Sequence, residues 1–338
     1  MNSLVTERPS ESTAAAAQGW WRRTYRGALR GDNPLLLAAA LLITIVVFAV
    51  LVGGTGYLRP ENLLGIVRQT ATISVMAIAT VFVISAREID LSIAGVIPIS
   101  AYVVAMLMPS IGPLPAALVA LAAASLVGLV NGLLVVSLGV PSFVVTLGML
   151  GLLEGASRLF TNGQSVLVQD PAFIAVFGSG SFLGVPVLAV WSVGLAIVGA
   201  VVLKNTTVGK AVLATGGNPE AARVSGIRTA RVRIGVLMLS SVAGGLAGLM
   251  YVGQFQSARF DLGSSDLLTV IAAAIIGGTL LSGGKGSVIG ALIGSLLLGV
   301  VNNGLVILGL DAPQQLMFRG AIIIAAVIVS VRAARRRA

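Results

Sequence analysis

The side chains able to do chemistry in this chain are few, and the missing ones decide as much as those present. There is no histidine and no cysteine, which removes the usual general base, the thiolate nucleophile and the soft metal ligands. What remains falls into four sets. Asp90 and Ser92 stand in Ala86-Arg87-Glu88-Ile89-Asp90-Leu91-Ser92. A carboxylate and a hydroxyl two residues apart can cap the helix that follows, or gate a passage beside it. Amides and hydroxyls recur at Asn131, Thr146, Gln254, Asn302 and Asn303. Such groups offer weak hydrogen bonds without a tight site, which suits a route that a polar solute must also leave. Gly283-Gly284-Lys285 invites comparison with a phosphate loop. However, Lys285 is followed by Gly rather than Ser or Thr, and Thr279 stands where the leading Gly is required. No nucleotide is expected to bind by that route, and no cluster of carboxylates offers metal or acid–base catalysis.

The fourth set is Asn218-Pro219-Glu220-Ala221-Ala222-Arg223-Val224-Ser225-Gly226. Asn218 can cap a helix, Pro219 suits its first position, Glu220 complements the dipole there, and Gly226 supplies a left-handed stop. The pattern predicts a helix of about two turns. Arg223 would lie on its exposed face, while Ala221, Val224 and Ile227 would press into something apolar. The structural alternative is a solvated connecting loop.

The elements that must position these residues are read from the apolar runs. With 57% hydrophobic and 10% charged residues, the chain belongs in a lipid bilayer, as an all-α polytopic protein. Ten spans are expected: Leu35–Val52, Ile66–Ser85, Leu91–Met108, Leu114–Ser137, Pro141–Phe160, Phe182–Leu203, Ile234–Val252, Leu267–Leu281, Ser287–Leu308 and Leu316–Val331. The resulting domain plan is a cytoplasmic N-terminal segment, 1–33, and a transmembrane domain, 34–331, with a cytoplasmic loop at 204–233. A basic cytoplasmic tail, 332–338, completes it. An even count puts both termini on one side. If that side is cytoplasmic, only Arg59, Arg68, Arg158, Arg259 and Arg319 lie outside, as the positive-inside rule asks. The net charge of +10 then reports orientation and not nucleic-acid binding.

Finer patterns add detail. Gly128 and Gly132 permit close helix contact, leaving Asn131 to be satisfied by a neighbouring backbone. Asn303-Gly304-Leu305 followed by Pro313 echoes Asn131-Gly132-Leu133 followed by Pro141. With ten spans the two copies run in opposite directions, the pattern of an inverted repeat. Glu154 and Arg158 are spaced to pair on one helix face. Thr161 to Asp170 reads as an exterior loop suited to meeting a soluble partner, and short helices or re-entrant pieces are expected within Gly112–Pro115 and Thr161–Gly184.

Several of these stretches resemble one family. Glu220-Ala221-Ala222, three residues and Gly226 are similar to the Glu-Ala-Ala…Gly loop of ABC importer permeases, where it forms the coupling helix that seats in the cytoplasmic ATPase. Ile89-Asp90-Leu91-Ser92, Gly128 to Gly148, and Gly277 to Ser287 resemble the ribose-type sugar permeases. Ala86-Arg87-Glu88 departs from the small residues usual there. The resemblance implies a non-catalytic permease in a bacterial inner membrane, with both termini cytoplasmic, passing a monosaccharide or similar polyol. It also implies a second permease chain, an ATPase that binds the ATP, and an extracytoplasmic solute-binding protein. On this reading Asn218 to Arg223 and Gly226 serve coupling, and Asp90, Ser92, Gly283, Gly284 and Lys285 form a gating or structural signature. Branched-chain amino-acid permeases are the nearest rival. A free-standing carrier or channel fits less well, because nearly every charge sits at a span end.

Overall fold

Backbone amides and carbonyls find no partners in hydrocarbon, so long apolar runs cross it as helices or closed barrels. The long apolar runs among the described residues take the helical solution. The computed structural model describes residues 34–53 and 56–335. Its helices are α1 (Pro34–Val52), α2 (Pro60–Ser85), α3 (Ile93–Ile111), α4 (Pro113–Ser137), α5 (Ser142–Thr161), α6 (Pro171–Phe177) and α7 (Val187–Asn205). There follow α8 (Thr207–Gly217), α9 (Pro219–Val224), α10 (Thr229–Phe255), α11 (Asp266–Ile276), α12 (Val288–Ile307) and α13 (Ala312–Arg335). The strands are minimal. β1 (Val166–Leu167) pairs antiparallel with β4 (Ser257–Ala258), and β2 (Ser181–Phe182) with β3 (Val185–Pro186).

Among the described residues, eight helices are long and apolar enough to cross a membrane: α1 to α5, α7, α10 and α12. They coincide with eight of the ten expected spans. The eighth expected span differs. Its first part is α11, 11 residues long, which rises only ~16 Å. Gly277 ends it, Gly278 turns at φ 95°, and the chain continues as a looped segment to Ser287. That irregular backbone is tolerated because it is packed inside protein: a side chain on Gly294 would strike the Ala273 carbonyl, and Leu280 N–H donates to the Lys285 carbonyl at 3.1 Å. The tenth expected span falls within α13, which opens with Gln314, Gln315 and Arg319 and is not among the eight.

α2, α3 and α10 form the buried centre, while α1 and α5 expose most of their surface. The Gly128 and Gly132 spacing acts as expected. A Cβ on either would come within 2.6 Å of Met238 Cα or 2.8 Å of Ile234 Cα, so α4 lies directly on the α10 backbone. The segment Thr161–Gly184 does hold a short helix. Asp170 caps α6 by accepting from Phe173 N–H at 2.8 Å, and the preceding loop is tied down through β1.

Two local expectations are corrected. Glu154 and Arg158 form no ion pair; the Arg158 guanidinium instead lies 5.1 Å over the Phe260 ring, where the aromatic face attracts it. Asn131 meets a side chain and not backbone: its Nδ2 donates to Ser92 Oγ at 2.8 Å, while its buried Oδ1 has no hydrogen-bond partner. The expected N-terminal segment, with its arginines, and the last three residues of the basic tail lie outside the described residues.

Candidate functional site

The 27 residues of α10 span ~40 Å, and its two ends carry two different polar constructions. At its C-terminal end is a cavity of about 540 Å³, within the size range of small-molecule sites. α2 contributes Gln69 and Thr70, α10 contributes Tyr251, Gln254 and Phe255, α11 contributes Asp266 and Thr269, α12 contributes Asn302 and Asn303, and α13 contributes Arg319. The charges inside are engaged. Tyr251 Oη donates to Asp266 Oδ2, and Arg319 Nη2 donates to Asn302 Oδ1 at 2.9 Å. At the rim Arg259 clamps Asp261 with two hydrogen bonds of 3.0 and 2.8 Å, holding the Asp261 carboxyl below its ordinary range. Tyr251 and Phe255 stack at 5.8 Å, presenting an aromatic wall. Gln254 Oε1 and Thr269 Oγ1, both in the lining, are buried and have no hydrogen-bond partner.

Of the five candidate pathway residues, the fold brings Gln254, Asn302 and Asn303 together here. Asn303 also exchanges reciprocal amide hydrogen bonds with Asn62 at 3.0 and 3.1 Å. Asn131 and Thr146 lie elsewhere, near the α9 end of the bundle. The sequence reading passed over Tyr251, Asp266, Thr269 and Arg319. The signal available was the ionisable pair: Asp266 opens an apolar run, and Arg319 falls just inside the last one, and intramembrane charges of that kind mark functional cavities.

At the N-terminal end of α10 the second construction gathers the remaining candidates. Asp90 Oδ1 accepts from Ser92 N–H at 2.9 Å and from Ser92 Oγ–H at 2.6 Å. Thr146 Oγ1 accepts from Leu91 N–H at 3.1 Å, so α5 and α4 both fasten this loop. Burial pushes the Asp90 carboxyl above the ordinary aspartate range, against the hydrogen bonds from Ser92. Glu88 is buried and paired with Arg233. Arg87 takes the left-handed conformation, φ 66°, while Arg87 N–H and Glu88 N–H return to the Ile84 and Val83 carbonyls. That is a helix stop in which glycine is favoured.

α9 is capped as its sequence implies: Asn218 Oδ1 accepts from Glu220 N–H at 3.1 Å and Ala221 N–H at 3.0 Å. Gly226 turns at φ 86°, with Ile227 N–H returning to the Ala222 carbonyl at 3.0 Å. Its facing is corrected. Ala222 is the residue packed inward, whereas Ala221 and Arg223 are exposed and Val224 is 87% exposed. Six residues bury only one narrow stripe, and the small side chain takes it. Pro219, Glu220, Arg223 and Val224 therefore form a projecting knob with an apolar tip.

Gly283 and Gly284 adopt φ of 81° and 77° and bring their loop against the base of that knob. Gly284 N–H donates to the Ser85 carbonyl at 2.9 Å. A Cβ on Gly283 would lie 2.7 Å from the Gly216 carbonyl oxygen, and one on Gly284 2.8 Å from Gly217 Cα. Three backbones, from the ends of α2 and α8 and from the α11–α12 loop, thus touch with no side chains between them. The same loop runs back to α11, which lines the cavity.

A family model described as "Branched-chain amino acid transport system / permease component" matches residues 62–327. The ribose import permease protein RbsC of Escherichia coli (strain K12) is 35% identical over 91% of this chain and 96% of its own length. The L-arabinose ABC transporter permease protein AraH of Azospirillum brasilense is 32% identical over 85% of each chain. The galactose/methyl galactoside import permease protein MglC of Haemophilus influenzae is 32% identical over 64% of this chain and 66% of its own. No solved structure matches the chain significantly. The chain belongs to this permease-component family and is related over most of its length to the ribose import permeases.

Proposed function

We propose that the chain is the non-catalytic membrane permease of an ABC importer, passing a monosaccharide or similar polyol. The observation that carries this reading is the cavity lined by Gln254 and Thr269, whose buried Oε1 and Oγ1 have no hydrogen-bond partner. Sugar hydroxyls are donors that such acceptors can take, and stacked aromatic rings suit the apolar face of a sugar. The relatives named for ribose, arabinose and galactose support the saccharide over the amino acid of the family description. On this proposal ATP is bound by a separate ATPase that receives α9. A second permease chain completes the passage, and an extracytoplasmic binding protein delivers the solute to the cavity end. The bilayer is the bacterial inner membrane, with both termini cytoplasmic.

The test is uptake by the assembled complex in proteoliposomes, offered labelled ribose, arabinose, galactose and leucine in turn. Saccharide uptake that requires ATP is expected. Replacing Gln254→Leu or Thr269→Val should lower it about five- to tenfold, the loss of one hydrogen bond each. Uptake of leucine alone overturns the saccharide reading, and uptake without ATP overturns the importer.

A further inference from the structure

A second and larger hollow lies on the flank of the bundle and takes no part in the route described. It is a groove of about 1050 Å³ between α2, α7, α8 and the first two-thirds of α10. Its walls are aliphatic over nearly their whole extent, from Val75 and Phe82 on α2 to Leu246 on α10. Polarity is confined to one end, where Arg228 and Arg231 stand at the start of α10 beside Thr207. Neither guanidinium has an ion pair among the described residues, and no acidic side chain lines the groove. From Arg231 to Leu246 the α10 wall runs ~22 Å, the scale of an extended acyl chain in one leaflet of a bilayer whose core is ~30 Å thick.

We propose that this groove binds an anionic phospholipid, with its phosphate on Arg228 and Arg231 and its acyl chains along α10. The charge pattern selects this occupant. Two cations at the polar end of an apolar slot complement a phosphodiester headgroup over its tails. A second copy of the chain seated symmetrically in the same groove would bring no acid to either arginine, because an isologous contact uses the same patch twice. The groove wall also includes Gly226 and Ile227, so the lipid lies against the stop that ends α9. Gly235 lines the groove, and a Cβ there would meet nothing within 4 Å. A larger residue at that position occupies the slot without disturbing the fold.

The experiment is native mass spectrometry of the purified chain after exchange into mixed micelles of phosphatidylglycerol and phosphatidylcholine. Retention of phosphatidylglycerol over phosphatidylcholine is expected, and the Arg228→Gln/Arg231→Gln double variant should reduce that preference about 30-fold, from ~1 kcal/mol per basic residue at the surface. The Arg228→Lys/Arg231→Lys variant keeps the charge and should keep the preference. Gly235→Leu should abolish retention of both lipids. Equal retention of the two lipids by the parent chain overturns the proposal, as does an unchanged preference in the Gln variant. A Gly235→Leu chain that keeps its lipid but loses dimer mass also overturns it and assigns the groove to a second copy.

Discussion

Gly216 offers a sharp test of whether the contact between the three backbones transmits force. A Cβ added there would overlap the Ser85 carbonyl oxygen and lie 2.8 Å from both the Gly284 nitrogen and the Ser85 carbonyl carbon. No flexible side chain is available to give way, so Gly216→Ala must push the α11–α12 loop or the end of α2 off the knob. Overpacking of this kind costs about 1–3 kcal/mol. Losing the 2.9 Å hydrogen bond from Gly284 to Ser85 adds about 1 kcal/mol. The better helix propensity of alanine returns about 1 kcal/mol. The net is about 1–3 kcal/mol, or roughly five- to 150-fold in the population of the clasped state. The neighbouring glycine supplies the control: a Cβ on Gly217 would sit 3.8 Å from Gly284 Cα, an ordinary contact. In the reconstituted importer, Gly216→Ala should lose at least fivefold in solute-stimulated ATP hydrolysis and in uptake, while Gly217→Ala stays within twofold of the parent. Full uptake by Gly216→Ala, or equal loss in both variants, would refute the idea that this contact links knob to cavity.

At the knob itself, Gly226→Val forces a β-branched residue to φ 86° at a cost of about 1–2 kcal/mol, and Glu220→Lys reverses the charge at the helix start. Both should leave abundance intact and depress uptake and stimulated hydrolysis together, and unchanged rates in both would make α9 a mere connector. Single cysteines at the exposed Ser165 and Ser225 should label from outside and inside respectively; labelling from the same face would overturn the orientation. Asp90 predicts a pH effect. Burial raises its folded-state pKa above the ordinary aspartate range, so its contribution favours folding at low pH and is lost as pH rises through the folded value. Asp90→Asn, which keeps an oxygen for Ser92, should therefore match or exceed the parent's melting temperature at pH 7 and lose the gain the parent makes on acidification. Parallel profiles for the two would show that the carboxyl does not titrate there.

The bundle was readable because apolar runs must be helical in lipid, and the caps of α9 because Asn218, Pro219 and Gly226 act within a few residues of one another. What escaped has a common cause in distance. The composition of Leu267–Leu281 is as apolar as a span, and only the packing of Gly277 on the α12 backbone shows why the helix stops halfway. Glu154 and Arg158 had the spacing to pair, but Phe260, brought over by the β1–β4 ladder, presents a ring to the arginine instead. The outward turn of Val224 depends on what α9 rests against, which no local pattern encodes. The cavity is assembled from five helices whose contributions begin at Gly65 and end at Arg319. Three of its amides were picked out as polar groups in apolar runs; the carboxylate, the tyrosine and the arginine that complete it were not.

The amide pair between Asn62 and Asn303 joins residues 241 positions apart, and α1 docks on the same helix, with Phe48 filling the space over Gly304. A ribosome adding ~5–20 residues per second needs about 12–50 s to cover that interval. Throughout it, α1 and the start of α2 are already inserted but lack the surface they finally rest on. A helix that enters the membrane before α2 is thus among the last to be seated. A translocating ribosome paused between α2 and α12 would hold a nascent chain in which α1 stays available to lipids, insertases or quality-control proteases.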